Sequence, residues 1–177
     1  MTTRTLTCRS ATVADLAAIV AVFLDCWRDS YRDVLPVDTI TAMTSARAAS
    51  LWSTALTDAP TSQVIVATAS GHPARSVVGV GRWEPDHAAP SSRPATVRSL
   101  YVSPTAQRAG IGTALLADLE GRVWNAGPTT ARLWVFAANR RGIDFYERHG
   151  WCPDGVTRIQ DEFGQPEIRL RKVLTDA

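Results

Sequence analysis

The segment Gln107-Arg108-Ala109-Gly110-Ile111-Gly112 is the part of this chain whose residue types and spacing most clearly imply chemistry. It sets one basic side chain and two glycines directly before Ile111, Leu115, Leu119 and Val123, an apolar series at helical four-residue steps. The first N–H groups of such a helix have no partner inside it, and the helix dipole adds positive potential at the same end. Together they make a site for an anion, a phosphate or diphosphate by preference. Glycine lets backbone approach such a ligand without a Cβ in the way. The dinucleotide fingerprint is incomplete, because its third glycine position is Leu115. No Gly-Lys-Ser/Thr occurs, so a P-loop is excluded, and no G-x-S-x-G supplies a hydrolase nucleophile. His72, His87 and His149 share no metal-ligand spacing, so no metal is expected.

The elements that must position this junction follow from the pattern around it. A first strand is read at Thr5–Arg9, then a helix capped by Thr12 with Asp15 as the returning carboxylate. Leu16, Ile19, Val20, Phe23, Trp27 and Tyr31 form that helix's apolar stripe. Val34-Leu35-Pro36 breaks it, and Asp38 opens a second helix to about Leu56. Gln63–Ala69 and Ser76–Trp83 read as a hairpin joined through Ser70-Gly71-His72-Pro73, with a loop over 85–94. Next come a strand at Ala95–Val102, stopped by Pro104, a helix from about Ala109 to Asn125, and a strand at Arg132–Phe136. A short helix from Asn139 or Arg140 to Arg148 ends at Gly150, and a final hairpin pairs Val156–Gln160 with Pro166–Val173. Hairpins at both ends around one strand–helix–strand unit predict a mixed, mostly antiparallel sheet with one parallel pair. The fold class is α/β with a central mixed sheet flanked by helices, in a single domain over residues 1–177. Ligands in such a sheet bind at the carboxyl ends of the parallel strands.

Composition narrows the partners. The chain has 177 residues, 45% hydrophobic and 20% charged, as expected of a folded domain. A net charge of +2 with scattered arginines gives no basic patch for nucleic acid. The apolar run from Leu16 to Leu24 is too short to span a bilayer, so no membrane association is expected. Cys8, Cys26 and Cys152 are widely separated and odd in number. They read as small buried side chains in a reducing, cytoplasmic setting. Trp52, Trp83, Trp124, Trp134 and Trp151 read as packing residues.

Two blocks now resemble the GNAT superfamily of acetyl-CoA-dependent N-acetyltransferases. Gln107-Arg108-Ala109-Gly110-Ile111-Gly112 is similar to the family's Gln/Arg-x-x-Gly-x-Gly/Ala cofactor motif, and Leu100-Tyr101-Val102-Ser103-Pro104 to the strand leading into it. The segment Asn139 to Trp151, containing Phe145, Tyr146 and Gly150, resembles the second block. The resemblance implies that acetyl-CoA is the cosubstrate, with its diphosphate on the backbone of Arg108, Ala109, Gly110, Ile111, Gly112 and Thr113, beside Gln107. Its pantetheine arm would pair with the strand at Leu100, Tyr101 and Val102, where a backbone N–H can polarise the thioester carbonyl. Asn139 would hold that arm, or serve only as the cap of the short helix. Tyr146 would protonate the departing thiolate, or serve as a core tyrosine.

The acceptor amine needs more. An alkylamine with a pKa near 10.4 is about one part in a thousand neutral at pH 7.4, a cost of roughly 4 kcal/mol. Many family members carry a glutamate near the start of the motif strand, where this chain has Thr96, Val97 and Arg98. Glu84 is the substitute base, with Asp86 and His87 as loop alternatives, or else a plain strand-end carboxylate. Trp27 and Tyr31 would wall the acceptor pocket, with Asp29 or Asp33 holding the amine, or else only pack an amphipathic helix onto the sheet; a pocket capped by the 32–38 loop would favour a metabolite. The implied reaction is direct acetyl transfer to a primary amine, that of a small molecule or of a protein N-terminus. A coenzyme A-binding regulatory module is the reading outside enzymology. A homodimer is common in the family.

Overall fold

The computed structural model describes residues 6–58, 63–70, 76–85 and 94–175. One seven-stranded sheet runs through it in the order β1-β2-β3-β4-β5-β7-β6. The strands are β1 Leu6–Ser10, β2 Gln63–Ala69, β3 Ser76–Glu84, β4 Ala95–Val102, β5 Thr130–Phe136, β6 Cys152–Gln160 and β7 Gln165–Val173. The helices are α1 Leu16–Asp29, α2 Val37–Ala42, α3 Ser45–Thr57, α4 Ile111–Asn125 and α5 Arg140–Arg148. Every strand pair is antiparallel except β4 with β5, so the mixed sheet with one parallel pair is as expected. No helix among the described residues is long and apolar enough to cross a membrane.

Each face of the sheet buries its own cluster. On one side α4 lays Ile111, Leu115, Leu119 and Val123 against Ile65, Val97 and Leu133, joined by Ile143 of α5 and Trp151. This is the four-residue stripe read from the sequence. Gly81 on β3 is what lets the helix come so close, since a Cβ there would stand 2.8 Å from Leu119 Cδ1. On the other side α1 and α3 bring Ile19, Phe23, Trp27 and Trp52 onto Val64, Val66 and Val80. Asp15 Oδ2 accepts from the Thr12 N–H at 2.8 Å, the returning carboxylate of the expected cap, and also from Thr12 Oγ1 at 3.0 Å.

Several boundaries differ from the sequence reading. The single helix expected from Asp38 to Leu56 is two, because Met43 leaves helical geometry and buries its side chain. Thr44 then starts α3 by accepting the Arg47 N–H at 3.2 Å. Asp38 lies in the first turn of α2 rather than at its cap. Tyr31 lies beyond the end of α1 at Asp29, in the turn that follows. α4 begins at Ile111, not Ala109, because Gly110 at φ 78° occupies the cap. The last hairpin is longer than read, with β6 starting at Cys152 and a register shift between Pro153 and Thr157. Cys26 is buried and Cys8 half-buried, whereas Cys152 is exposed on β6. Thr5, residues 71–73 of the first hairpin turn, and most of the 85–94 loop lie outside the described residues.

Candidate active site

The site begins as a fault in the sheet. Arg82 pairs with Ser99 and Trp83 with Val97, so Arg98 is the extra residue of a bulge in β4. Pairing of β4 with β5 stops at the same place, after Ala95 with Ala131, Thr96 with Arg132 and Val97 with Leu133. From there the two strands diverge, and Ser99–Val102 of β4 pairs with β3 as its one neighbouring strand. A cavity of about 470 Å³ opens along the gap.

The end of β4 is braced at one carbonyl. Val102 O accepts from Gln107 Nε2 at 2.9 Å and from Cys26 Sγ at 3.1 Å. Gln107 Oε1 accepts from Arg141 Nη2 at 2.6 Å. The amide of Gln107 is therefore spent on holding β4, α5 and the glycine turn in register. Burial pushes the Cys26 thiol up to about 12, with the Val102 carbonyl contact opposing the rise. At neutral pH that thiol is a packing group and a hydrogen-bond donor.

The turn itself supplies the anion site. Arg108 is at φ 62° and Gly110 at φ 78°, both left-handed. Such alternation aims successive N–H groups into one concavity. The first bond inside α4 runs from Ala114 N to Gly110 O, so the N–H groups of 111–113 have no acceptor within the helix. Arg108, Arg141 and Arg148 line the same end of the cavity. A diphosphate with a further phosphate, as coenzyme A carries, fits this set of donors.

Tyr146 and Asn139 come from α5. Asn139 Oδ1 caps the helix by accepting the Gly142 N–H at 2.9 Å. Its second role, on the pantetheine arm, would fall to Nδ2. Gly142 is needed for this arrangement, since a Cβ would stand 2.6 Å from that nitrogen. Tyr146 lines the cavity and packs edge-on to Phe145 at 5.2 Å and to Trp151 at 6.0 Å. Burial raises its phenol well above the ordinary tyrosine range, and Tyr101 adds to the rise. Burial likewise pushes Tyr101 up to about 12, moderated by donors from Trp27, Tyr31 and Ser99. These phenols keep their protons at neutral pH.

The other end of the cavity is aromatic. Trp27 meets Tyr31 at 5.6 Å and Phe163 at 5.2 Å between ring centres. Tyr31 meets Phe136 at 5.8 Å and Tyr101 at 6.3 Å. Trp27 Nε1 is buried without a hydrogen bond of normal geometry. Phe163 belongs to the turn between β6 and β7, which an Arg47–Glu162 ion pair ties to α3.

Most of the residues read from the sequence meet at this cavity: Trp27, Tyr31, Leu100, Tyr101, Val102, Gln107, Arg108, Gly110, Gly112, Thr113, Asn139 and Tyr146. Ala109 is exposed outside its wall, and the Ile111 side chain is 6% exposed in the α4 core. Glu84 also lies outside the wall, ion-paired with both Arg82 and Arg98. Asp86 and His87 lie outside the described residues. Asp29 and Asp33 are exposed and take no part in the wall, nor does the 32–38 loop, because the chain turns away after Tyr31. Trp134, read as packing, lines the cavity with Arg158 stacked 4.1 Å from its ring centre. The sequence reading missed Phe136, Gln160, Phe163 and Glu167, which only the pairing of β5, β7 and β6 brings to the site.

Comparison with known proteins gives the family and the fold. The sequence model described as the acetyltransferase (GNAT) family matches residues 17–151. An uncharacterized N-acetyltransferase, YuaI of Bacillus subtilis (strain 168), is 26% identical over 167 residues, covering 94% of this chain and 90% of that protein. Among solved structures, the PaiA N-acetyltransferase of Thermoplasma acidophilum in complex with coenzyme A aligns with a TM-score of 0.72 at 17% identity, covering 96% of this chain and 99% of the other. A ribosomal-protein-alanine N-acetyltransferase of Brucella melitensis aligns with a TM-score of 0.69 at 22% identity, covering 95% and 99%.

Proposed function

This chain belongs to the GNAT family of acetyl-CoA-dependent N-acetyltransferases, and from that premise we propose that it transfers acetyl directly to a primary amine of a small molecule. The observation that carries the reading is the divergence of β4 from β5 beside the start of α4, with Tyr146 opening into the same cavity. Acetyl-CoA supplies an activated thioester. The chain's own residues bind its phosphates at 108–113, align its amide arm along the unpaired edge of β4, and hold it with Asn139 Nδ2.

The proton accounting assigns the remaining roles. The acceptor ammonium must lose one proton before its nitrogen can form the N–C bond. As the C–S bond breaks, Tyr146 lends its proton to sulfur. Because burial makes its phenolate costly, the loan is short, and the phenol regains a proton from the nitrogen of the new amide. One proton is released overall. Glu84, bound to two arginines, has its place in this reading as a charge that steadies the bulge at Arg98.

A small molecule is favoured over a protein chain by the turn between β6 and β7. Phe163 lines the aromatic end and the Arg47–Glu162 pair tethers its turn to α3, where a peptide would need an open groove. The test is release of coenzyme A thiol on addition of amines. Tyr146→Phe is expected to lower kcat about a hundredfold or more, with a much smaller change in acetyl-CoA affinity. Equal losses in both would remove the acid role. Acetyl-CoA binding with no amine-dependent thiol release would replace the enzyme by a binding module.

A further inference from the structure

We propose, resting on the acetyltransferase reading above, that Glu167 binds the ammonium group of the acceptor, and that the acceptor is a monocationic amine with an aromatic or apolar body and no carboxylate. Glu167 is on β7, with Phe136 of β5 opposite it on one side and Arg158 of β6 on the other. Residues directly opposite across a sheet share a face, so this carboxylate stands on the face that α1 covers. It is 7% exposed and is the one carboxylate in the cavity wall among the described residues.

Its two oxygens are not equivalent. Arg158 Nε and Nη2 both lie 2.7 Å from Oε2, and Oε1 has no hydrogen-bond partner among the described residues. Arg158 is itself fixed against the Trp134 ring. The guanidinium thus steadies the carboxylate through Oε2 and leaves Oε1 for a further donor. That second oxygen is not among the buried atoms left without a partner, so it is open to a donor, and a charged N–H group makes the stronger kind of hydrogen bond to it. The rings of Trp27, Tyr31, Phe136 and Phe163, packed edge-to-face on one another, line the same cavity and give an apolar body aromatic surroundings. Glu167 is already bound to Arg158 through Oε2, so its one remaining oxygen has room for a single ammonium N–H. A carboxylate on the acceptor would lie against Glu167, and the cavity's Arg98 is already paired with Glu84.

An alkylammonium is a far weaker acid than a carboxylic acid. Glu167 therefore docks the amine and does not store its proton, which passes to water at the cavity mouth. Docking is read in acceptor KM, and the rise of kcat/KM with pH belongs to the amine itself.

Thiol release is measured with phenethylamine and with phenylalanine, which share a body and differ by a carboxylate. The wild-type protein is expected to prefer phenethylamine. Glu167→Gln raises its KM roughly ten- to hundredfold, narrows the preference between the two amines, keeps the rise with pH and leaves acetyl-CoA titration unchanged. Glu167→Asp restores part of the preference and decides the matter if the glutamine variant does not fold. Unchanged phenethylamine kinetics in the variants, wild-type preference for phenylalanine, or loss of the pH-dependent rise in Glu167→Gln would each overturn the docking role. Turnover of other amines with neither of these two accepted overturns this inference alone. Absence of thiol release with every amine overturns the enzymatic reading as well.

Discussion

Asp15 shows how much one side chain near the amino terminus contributes to holding α1, and hence Trp27, in place. Arg9 grips both of its oxygens at 2.8 and 2.7 Å, and the Thr12 N–H adds a third bond. These contacts, Arg9 first, hold the Asp15 carboxyl well below the usual carboxylate range against the opposing cost of burial. Because the folded pKa is depressed, the stabilisation is complete above the unfolded value near 4. It is lost as pH falls through the folded value. Arg9 is 44% exposed, which screens its share. Asp15→Asn is expected to cost about 1–2 kcal/mol at pH 7. Denaturant unfolding at pH 7 and pH 3 checks this: the gap between wild type and variant should shrink at the lower pH. A constant gap would trace the cost to packing instead of charge.

At the scale of elements, α5 depends on a contest at its first turn. Gly142→Ala should gain roughly 1 kcal/mol of helix propensity and lose about as much in capping when its methyl displaces the Asn139 amide. Melting temperature is expected to stay within a few degrees while acetyl-CoA affinity, read by titration, falls severalfold. A large loss of stability with normal affinity would mean that Asn139 serves the helix alone. The contrast explains which features were legible in the sequence. The 107–112 turn, the α4 stripe and the Asn139 cap are local, so spacing alone discloses them. The break at Met43 was hidden because apolar residues continue across it at helical spacing. Glu167 was invisible for a different reason. It gains its meaning from Phe136 and Arg158, and only the register of three strands makes those its neighbours.

Across the whole molecule, the acceptor end joins the two extremes of the chain, α1 near the start and the β6–β7 turn near the finish. Phe163 spans them, touching Trp27 and Phe136. Phe163→Ala should widen the cavity, raise KM for a small amine several-fold and improve the relative kcat/KM of a bulkier one, with little loss of stability because the ring is only partly buried. Steady-state kinetics with two amines of different girth checks this. Unaltered selectivity would place the acceptor elsewhere along the gap.

The short parallel seam has a thermodynamic consequence. Only three residue pairs join the four-stranded antiparallel portion of the sheet to the three-stranded portion beyond it. A ligand lying along the open edge of β4 completes a sheet that the polypeptide leaves unfinished. Folding and cosubstrate binding are then linked equilibria: each tenfold rise in free acetyl-CoA above its dissociation constant adds about 1.4 kcal/mol of resistance to unfolding.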